Sequence, residues 1–361
     1  MMSKIKISII VPCYNVEKWV GHCLDSLIGQ TLSDIEIICI DDKSTDNTLK
    51  ILKQYSKKDN RIKVVCNTQN CGLSETRNHG MRYANAPYIM FCDSDDWFAD
   101  NMCEKMYNAI TTNNADMAIC GTEVIYEANH DRKSDDDVYF AISHRGTLPL
   151  TPDIQNAYSV CAPNKIYKRE IIQKHDVWFP HGLKYEDNYF YHVYCLWVNN
   201  VAFVADKLYK YRRRAGSIMN NTYSEKTLNL NPLNIAIEWF KYAKAHNKLN
   251  GREDWFWGHF CYNMFRDTLA YSGKKNHKQC YDAAHRFMKQ NLNTQTLNNK
   301  SRYRVSQIWL RIVEPQRLLG GLIKIQSMSD EIFLRAFGIK ILRIKYDALK
   351  VKYYLFGLRL W

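Results

Sequence analysis

Over its first 125 residues the chain alternates short apolar runs with amphipathic segments, and this rhythm restricts the fold more than any other feature. Lys6 to Val11, Glu36 to Ile40, Arg61 to Cys66, Tyr88 to Cys92 and Asp116 to Ile125 read as strands. Between them Glu17 to Gln30, Thr45 to Tyr55, Ser74 to Ala84 and Asn101 to Thr112 carry helical spacing, with Ser44 as the expected N-cap of the second. Such alternation implies right-handed βαβ units, and so an α/β fold whose central, mostly parallel sheet has helices on both faces. From Glu127 to Asp137 the chain turns polar and acidic, as an exposed loop would. Beyond Pro149 the rhythm changes: Tyr158 to Arg169 is mixed, Glu186 to Val198 is helical, and Val201 to Arg213 is a strand ending in basic residues. Past Thr227 the pattern is helical, with candidates at Leu228 to Ala245, Asp254 to Tyr271, Cys280 to Gln290 and Arg304 to Val313.

Two of these strands end in carboxylates. Asp41-Asp42 closes one, and Asp93-Ser94-Asp95-Asp96 follows Tyr88 to Cys92. In a parallel sheet both would reach the carboxyl edge, where open α/β sheets bind ligands. Clustered oxygen ligands suit Mg²⁺ or Mn²⁺, which share coordination with substrate phosphates.

The formal charge of +13 lies mostly in the tail: from Ser301 onward there are twelve Lys or Arg against four acids. The N-terminal half, with its acidic clusters, is nearly balanced, which disfavours a nucleic-acid binder despite the basic total. The twelve cysteines include no C-x-x-C pair, so a zinc site is not indicated. With no signal-peptide pattern they imply a reducing cytosol and free thiols. The longest stretch without charged side chains, Asn188 to Ala205, is studded with tyrosines and reads as buried helix and strand rather than a bilayer span.

Taken together, Ile9-Ile10-Val11-Pro12-Cys13-Tyr14-Asn15, Ser26 to Gln30, Ile40-Asp41-Asp42-Lys43-Ser44-Thr45-Asp46 and Asp93-Ser94-Asp95-Asp96 resemble the family 2 glycosyltransferases over about residues 5 to 125. The likeness continues through Glu186-Asp187 with Phe190, then Tyr209-Lys210-Tyr211-Arg212 and Ser217-Ile218-Met219. It implies a GT-A type nucleotide-binding fold over residues 1–225, with the donor side at about 1–125 and the acceptor side at about 150–225. A helical C-terminal region with a basic aromatic tail would occupy 226–361.

The resemblance also implies roles. Pro12 and Tyr14 line the nucleobase, Asp42 accepts the base N–H, and Glu17 either assists at the ribose or begins the helix. Arg77 reaches the phosphates or steadies the base-binding Asp. In the D-x-D, Asp93 contacts the ribose and Asp95 the metal, with Ser94 between them and Asp93 beside the ion. Asp187 is the base, and Glu186 binds or orients the acceptor; adjacent helical positions point about 100° apart, so one of them faces the reacting carbon. Arg212, Arg213 or Arg214, with Ser217, binds the diphosphate, and Arg212 fits the tyrosine-flanked pattern best. Asn164-Lys165 matches a recurring pair near the acceptor side.

The expected activity is inverting transfer from a nucleotide-sugar, with UDP favoured over GDP or dTDP, to a glycan or lipid-linked acceptor of a bacterial surface polysaccharide. Without a Q-x-x-R-W motif or a transmembrane series, a processive synthase is disfavoured. The tail would hold a cytoplasmic enzyme at the anionic inner membrane, or pack as a closing hairpin or helix. No oligomeric state follows. A nucleotidyltransferase would open with a Gly-rich loop that Pro12-Cys13-Tyr14-Asn15 does not provide. An idle binding protein of the same fold would be expected to lose the D-x-D or the base.

Overall fold

The computed structural model describes residues 5–112, 114–127, 140–214 and 227–309, and the strand residues 323–328, 331–336, 339–347, 350–355 and 358–359. Two compact units divide it, Met1–Asn220 and Asn221–Trp361.

The first unit is built on a nine-stranded sheet ordered β3-β2-β1-β4-β8-β6-β9-β5, with β7 also paired to β9. Its parallel half comprises β1 (Ile7–Cys13), β2 (Ile35–Asp41), β3 (Ile62–Cys66) and β4 (Tyr88–Phe91). β1 and β2 are buried along their whole length, as parallel strands covered on both faces must be. The other half is mixed. β8 (Lys165–Lys168) runs antiparallel to both β4 and β6 (Met117–Tyr126), and β9 (Asn200–Arg213) runs parallel to β6. Two short strands, β5 (Trp97–Phe98) and β7 (Gly146–Pro149), pair antiparallel with β9.

Helices α1 (Val20–Ile28), α2 (Thr48–Lys58), α3 (Leu73–Tyr83) and α4 (Met102–Thr112) connect the strands as the alternation predicts. They are followed by α5 (Pro152–Ala157), α6 (Arg169–Lys174) and α7 (Glu186–Tyr194). Ser44 is not the cap of α2; that position falls to Asn47. The Ser44 hydroxyl instead accepts from the Asn15 amide at 3.1 Å, so the turns after β1 and β2 are tied to each other. α3 lies so near the sheet that a Cβ on Gly80 would come within 2.5 Å of Ile10 Cγ2. That close approach carries Arg77, one turn earlier, to the carboxyl ends of the strands.

In the second unit the expected helical region is seen as α8 (Asn231–Ala245), α9 (Glu253–Trp255), a π-helical stretch (Phe256–Cys261), α10 (Tyr262–Tyr271), α11 (His277–Asn291) and α12 (Asn299–Trp309). The tail differs from a helix. β10 (Ile323–Met328), β11 (Glu331–Ala336), β12 (Ile339–Asp347), β13 (Lys350–Leu355) and β14 (Leu358–Arg359) form a five-stranded antiparallel sheet in chain order. The period-2 spacing of Ile339-Lys340-Ile341 and Lys350-Val351-Lys352 explains why strands prevail. No helix among the described residues is long and apolar enough to cross a membrane.

Candidate active site

The site collects at the carboxyl edge of β1, β2 and β4, and its centre is a buried cation. Arg77, only 1% exposed, donates from Nη2 to Asp93 Oδ1 at 2.8 Å and from Nη1 to Glu186 Oε1 and Asp187 Oδ1 at 2.9 Å each. Its guanidinium lies over the Phe179 ring, 5.1 Å from the centroid. Three carboxylates hold the Arg77 cation so well that its pKa stands far above the ordinary value despite burial. Arg77 therefore joins the D-x-D turn to α7, and its hydrogen bonds go to these three carboxylates rather than to Asp42. Glu186 and Asp187 meet the same Nη1 atom, so the 100° between adjacent helical positions does not separate them.

Burial, reinforced by the neighbouring Asp187 charge and opposed by Arg77, pushes Glu186 up to about 7. Asp187 is raised in the same direction by burial, with Arg77 opposing and Asp93 reinforcing. Asp187 Oδ2 also accepts from the Ala162 amide at 3.3 Å. Both acids sit in the first turn of α7, where the helix dipole favours negative charge. Tyr185, just before them, takes a left-handed φ of 67°, as Asn15 and Lys43 do beside β1 and β2. Backbone of this kind persists only where surrounding contacts fix it, and it gathers at functional edges.

The second acid of the D-x-D meets a different arginine. Asp95 Oδ2 accepts from Arg214 Nε at 2.8 Å, and Arg214 lies 4.0 Å over the Trp19 ring. Arg212 is committed elsewhere: its Nε donates to the Asp95 carbonyl at 2.8 Å, its Nη2 meets His22 Nδ1 at 3.0 Å, and its guanidinium covers Trp97. The arginine beside the D-x-D carboxylate is thus Arg214 rather than Arg212. Asp96 is a latch, accepting from the Tyr209 hydroxyl and, at 2.7 Å, from the Arg212 amide, which fixes the end of β9 against the turn. Ser217 lies outside the described residues.

At the β2 end the two acids differ. Asp42 is saturated by Asn67 Nδ2 at 2.7 Å and the Cys71 amide at 2.8 Å on Oδ1, with the Gly72 amide at 2.9 Å on Oδ2. It clamps the loop into α3. Asp41, 2% exposed, has a buried Oδ1 with no partner. A buried acceptor left unpaired is costly, and the Asp41 carboxylate is held on its other oxygen by the Ser44 amide at 3.3 Å. Glu17 accepts from the Asn47 amide at 2.9 Å and side chain at 2.7 Å, so its visible role is to hold the start of α2. Pro12 is buried in β1, whereas Tyr14 is 47% exposed beside this edge. Ser94 is buried near the Cys13 thiol.

Comparison with known proteins decides the family. The sequence matches the profile described as Glycosyl transferase family 2 over residues 8–176. It is 32% identical over 230 residues to glycosyltransferase GlyG of Streptococcus pneumoniae, covering 60% of this chain and 74% of that protein. The chain belongs to the family 2 glycosyltransferases. It is also 32% identical to the poly(ribitol-phosphate) beta-glucosyltransferase of Bacillus spizizenii, covering 61% of this chain but 34% of that longer protein. Among solved structures, Staphylococcus aureus TarS 1–349 in complex with UDP-GlcNAc superposes with a TM-score of 0.60 at 20% identity, over 93% of this chain and 98% of that one. The fold of this glycosyltransferase is of the GT-A type, and its relatives include enzymes of cell-surface polymers.

Among the described residues of the glycosyltransferase no three Asp, Glu, His or Cys side chains gather into a complete metal cage. The D-x-D nevertheless fits a shared divalent ion. Asp93 and Asp95 each give one oxygen to an arginine, and burial raises Asp95 against the pull of Arg214, with Asp93 adding to the rise. An excess of clustered negative charge whose coordination is incomplete is what a cation shared with a diphosphate requires. A separate hollow of about 670 Å³ borders Tyr88, Lys168 and Arg169 at the opposite end of β4 and takes no part in this chemistry.

Proposed function

We propose that this glycosyltransferase is an inverting, divalent-metal-dependent enzyme that moves a sugar from a UDP-sugar to a hydroxyl of a glycan or lipid-linked acceptor in bacterial surface-polysaccharide synthesis. The observation that carries the reading is the convergence of Asp93, Glu186 and Asp187 on Arg77, with Asp95 alongside. The UDP-GlcNAc complex of a protein with the same fold supports the choice of donor. In this reading the acidic end of β2 at Asp42 receives the base N–H, Tyr14 offers a ring beside it, and Asp93 faces the ribose. Asp95 and Asp93 would hold Mg²⁺ or Mn²⁺, which supplies Lewis-acid neutralisation of the leaving diphosphate. Arg214 adds a forked donor beside it.

Transfer needs a base on the sugar face opposite the leaving group. Asp187 takes the acceptor's hydroxyl proton as that oxygen bonds to the anomeric carbon. The bond to the diphosphate oxygen breaks, and its electron pair leaves with the diphosphate. The raised pKa of Asp187 strengthens it as a base, while Arg77 fixes its direction.

Contact with an anionic membrane is the corresponding proposal for the tail sheet. Its backbone register puts Lys324 opposite Arg335, Arg335 opposite Lys340, and Lys345 opposite Lys352 on one side and Glu331 on the other. Like charges directly across strands are destabilising, and an anionic surface relieves them.

The test is a thermal-shift panel of UDP-, GDP- and dTDP-sugars with Mn²⁺, followed by transfer assays of wild type and Asp187→Asn with the donor that binds. A UDP-sugar should raise the melting temperature in both proteins, with transfer lost only in the variant. Near-normal turnover in Asp187→Asn sinks the base assignment, and full activity in EDTA sinks the metal.

A further inference from the structure

Lys165 is fully buried, and its ammonium spends all three protons inside one loop: on the Ser159 carbonyl at 2.6 Å, the Cys161 carbonyl at 2.6 Å and Asn164 Oδ1 at 2.7 Å. An ammonium has three donors, so this set is complete. Asn164 is anchored in turn by its side-chain amide on the Cys120 carbonyl at 3.1 Å, and the Tyr167 hydroxyl donates to the Ala162 carbonyl at 3.2 Å. Within the loop so wrapped, the Ala162 amide donates to Asp187 Oδ2 at 3.3 Å. Burying an ammonium costs desolvation that an apolar side chain of similar volume would not, and the three loop acceptors offset that cost.

We infer that Lys165 is a positioning residue for transfer: it folds the 159–164 loop so that Ala162 N–H, opposite Arg77, fixes both oxygens of Asp187 and orients the base. This rests on Asp187 being the base. Arg77 holds Oδ1, the loop amide holds Oδ2, and the Lys165 charge adds through space. The charged and titratable groups facing Asp187 are Arg77, Glu186, Asp93, Cys161, Tyr167 and Lys165. Those facing Lys165 are Cys161, Asp187, Cys195, Cys120 and the Tyr191 ring 5.0 Å away, and burial lowers it to about 8. Its positive charge stabilises the ionised form of Asp187, so removing it should raise the pH at which the base becomes active.

The experiment compares wild type, Lys165→Met, Asn164→Ala and Asp187→Asn, using UDP release from the UDP-sugar selected by the donor screen. Thermal unfolding establishes which variants are folded. Lys165→Met should lower kcat at least tenfold while the donor KM stays within threefold, and the acid limb of its kcat profile should move to higher pH. Asn164→Ala, which removes one of the three acceptors, should move kcat and the limb in the same direction by less, and it carries the test alone if Lys165→Met does not fold. A merely structural lysine would lower the melting temperature and leave the limb in place, and that result overturns the inference. If Asp187→Asn instead remains active, the base assignment itself has failed, whatever the lysine variants do.

Discussion

A guanidinium removed from water is stable only if every charge it meets is opposite, and Arg77 meets three carboxylates at once. Lysine would keep the charge and three donors but lose the planar fork, so its compact ammonium could not span from Asp93 on one side to Glu186 and Asp187 on the other in the same geometry. We expect Arg77→Lys to cut transfer at least a hundredfold and to lower the melting temperature by several degrees, since breaking a buried pair costs ~3–5 kcal/mol. A variant with wild-type turnover would remove Arg77 from the site. Glu186 supports a pH prediction whose sign is fixed. Its ordinary value is 4.5 and its folded value about 7, so between those limits the folded protein holds more protons than the unfolded chain. Stability therefore falls as pH rises through that window. Glu186→Gln should flatten the decline in melting temperature between pH 5 and 7.5, and an unchanged slope would refute the assignment. At this scale the sequence was informative about chemistry and weak on identity. Asp41 and Asp42 are adjacent at a strand end, and only the backbone turn at Lys43 decides which is clamped and which is left with an empty oxygen. Arg212 lies near the end of β9 and Arg214 just beyond it, and their division of labour depends on where Trp19 and Trp97 stand.

Elements with a strong period were readable because burial on a repeating face leaves a repeating pattern. β1, β2, β4 and the helices between them, as well as the long strand β9, follow the apolar spacing closely. Two-residue β5 and four-residue β7 are too short to leave a period, and they exist because β9 offers them a partner edge. The start of α2 was misplaced because Ser44 has the right chemistry for a cap but is taken by Asn15. One element-scale prediction concerns the contact that sets α3 on β1. Gly80→Ala would put a methyl within 2.5 Å of Ile10 Cγ2, and overpacking of this kind costs ~1–3 kcal/mol. The variant should melt several degrees lower, and because Arg77 rides on the same helix its transfer rate should fall as well. An unchanged melting temperature would mean that the helix moves aside freely.

At the scale of the whole molecule, the catalytic unit carries the acidic edge while most of the chain's positive charge lies in the other unit. This imbalance was visible in the sequence, but its arrangement was not, because a count of lysines does not say which residues are paired. Register adds that Lys324, Arg335, Lys340, Lys345 and Lys352 stand at paired positions in neighbouring strands of one sheet. A groove-binding linear polyanion would need a single stripe of cations, whereas these are spread across four neighbouring strands, which suits a planar array of lipid phosphates. Each basic residue near such a surface contributes ~1 kcal/mol, attenuated over a Debye length by salt. Replacing Lys345, Lys350 and Lys352 with Gln should therefore weaken binding to phosphatidylglycerol-containing vesicles at least tenfold, with transfer to a water-soluble acceptor unchanged. The wild-type protein should also lose vesicle binding as NaCl is raised from 50 to 500 mM. Equal binding by wild type and variant, or equal affinity for purely zwitterionic vesicles, would show that the basic sheet serves only solubility and that the membrane has no part in holding this enzyme.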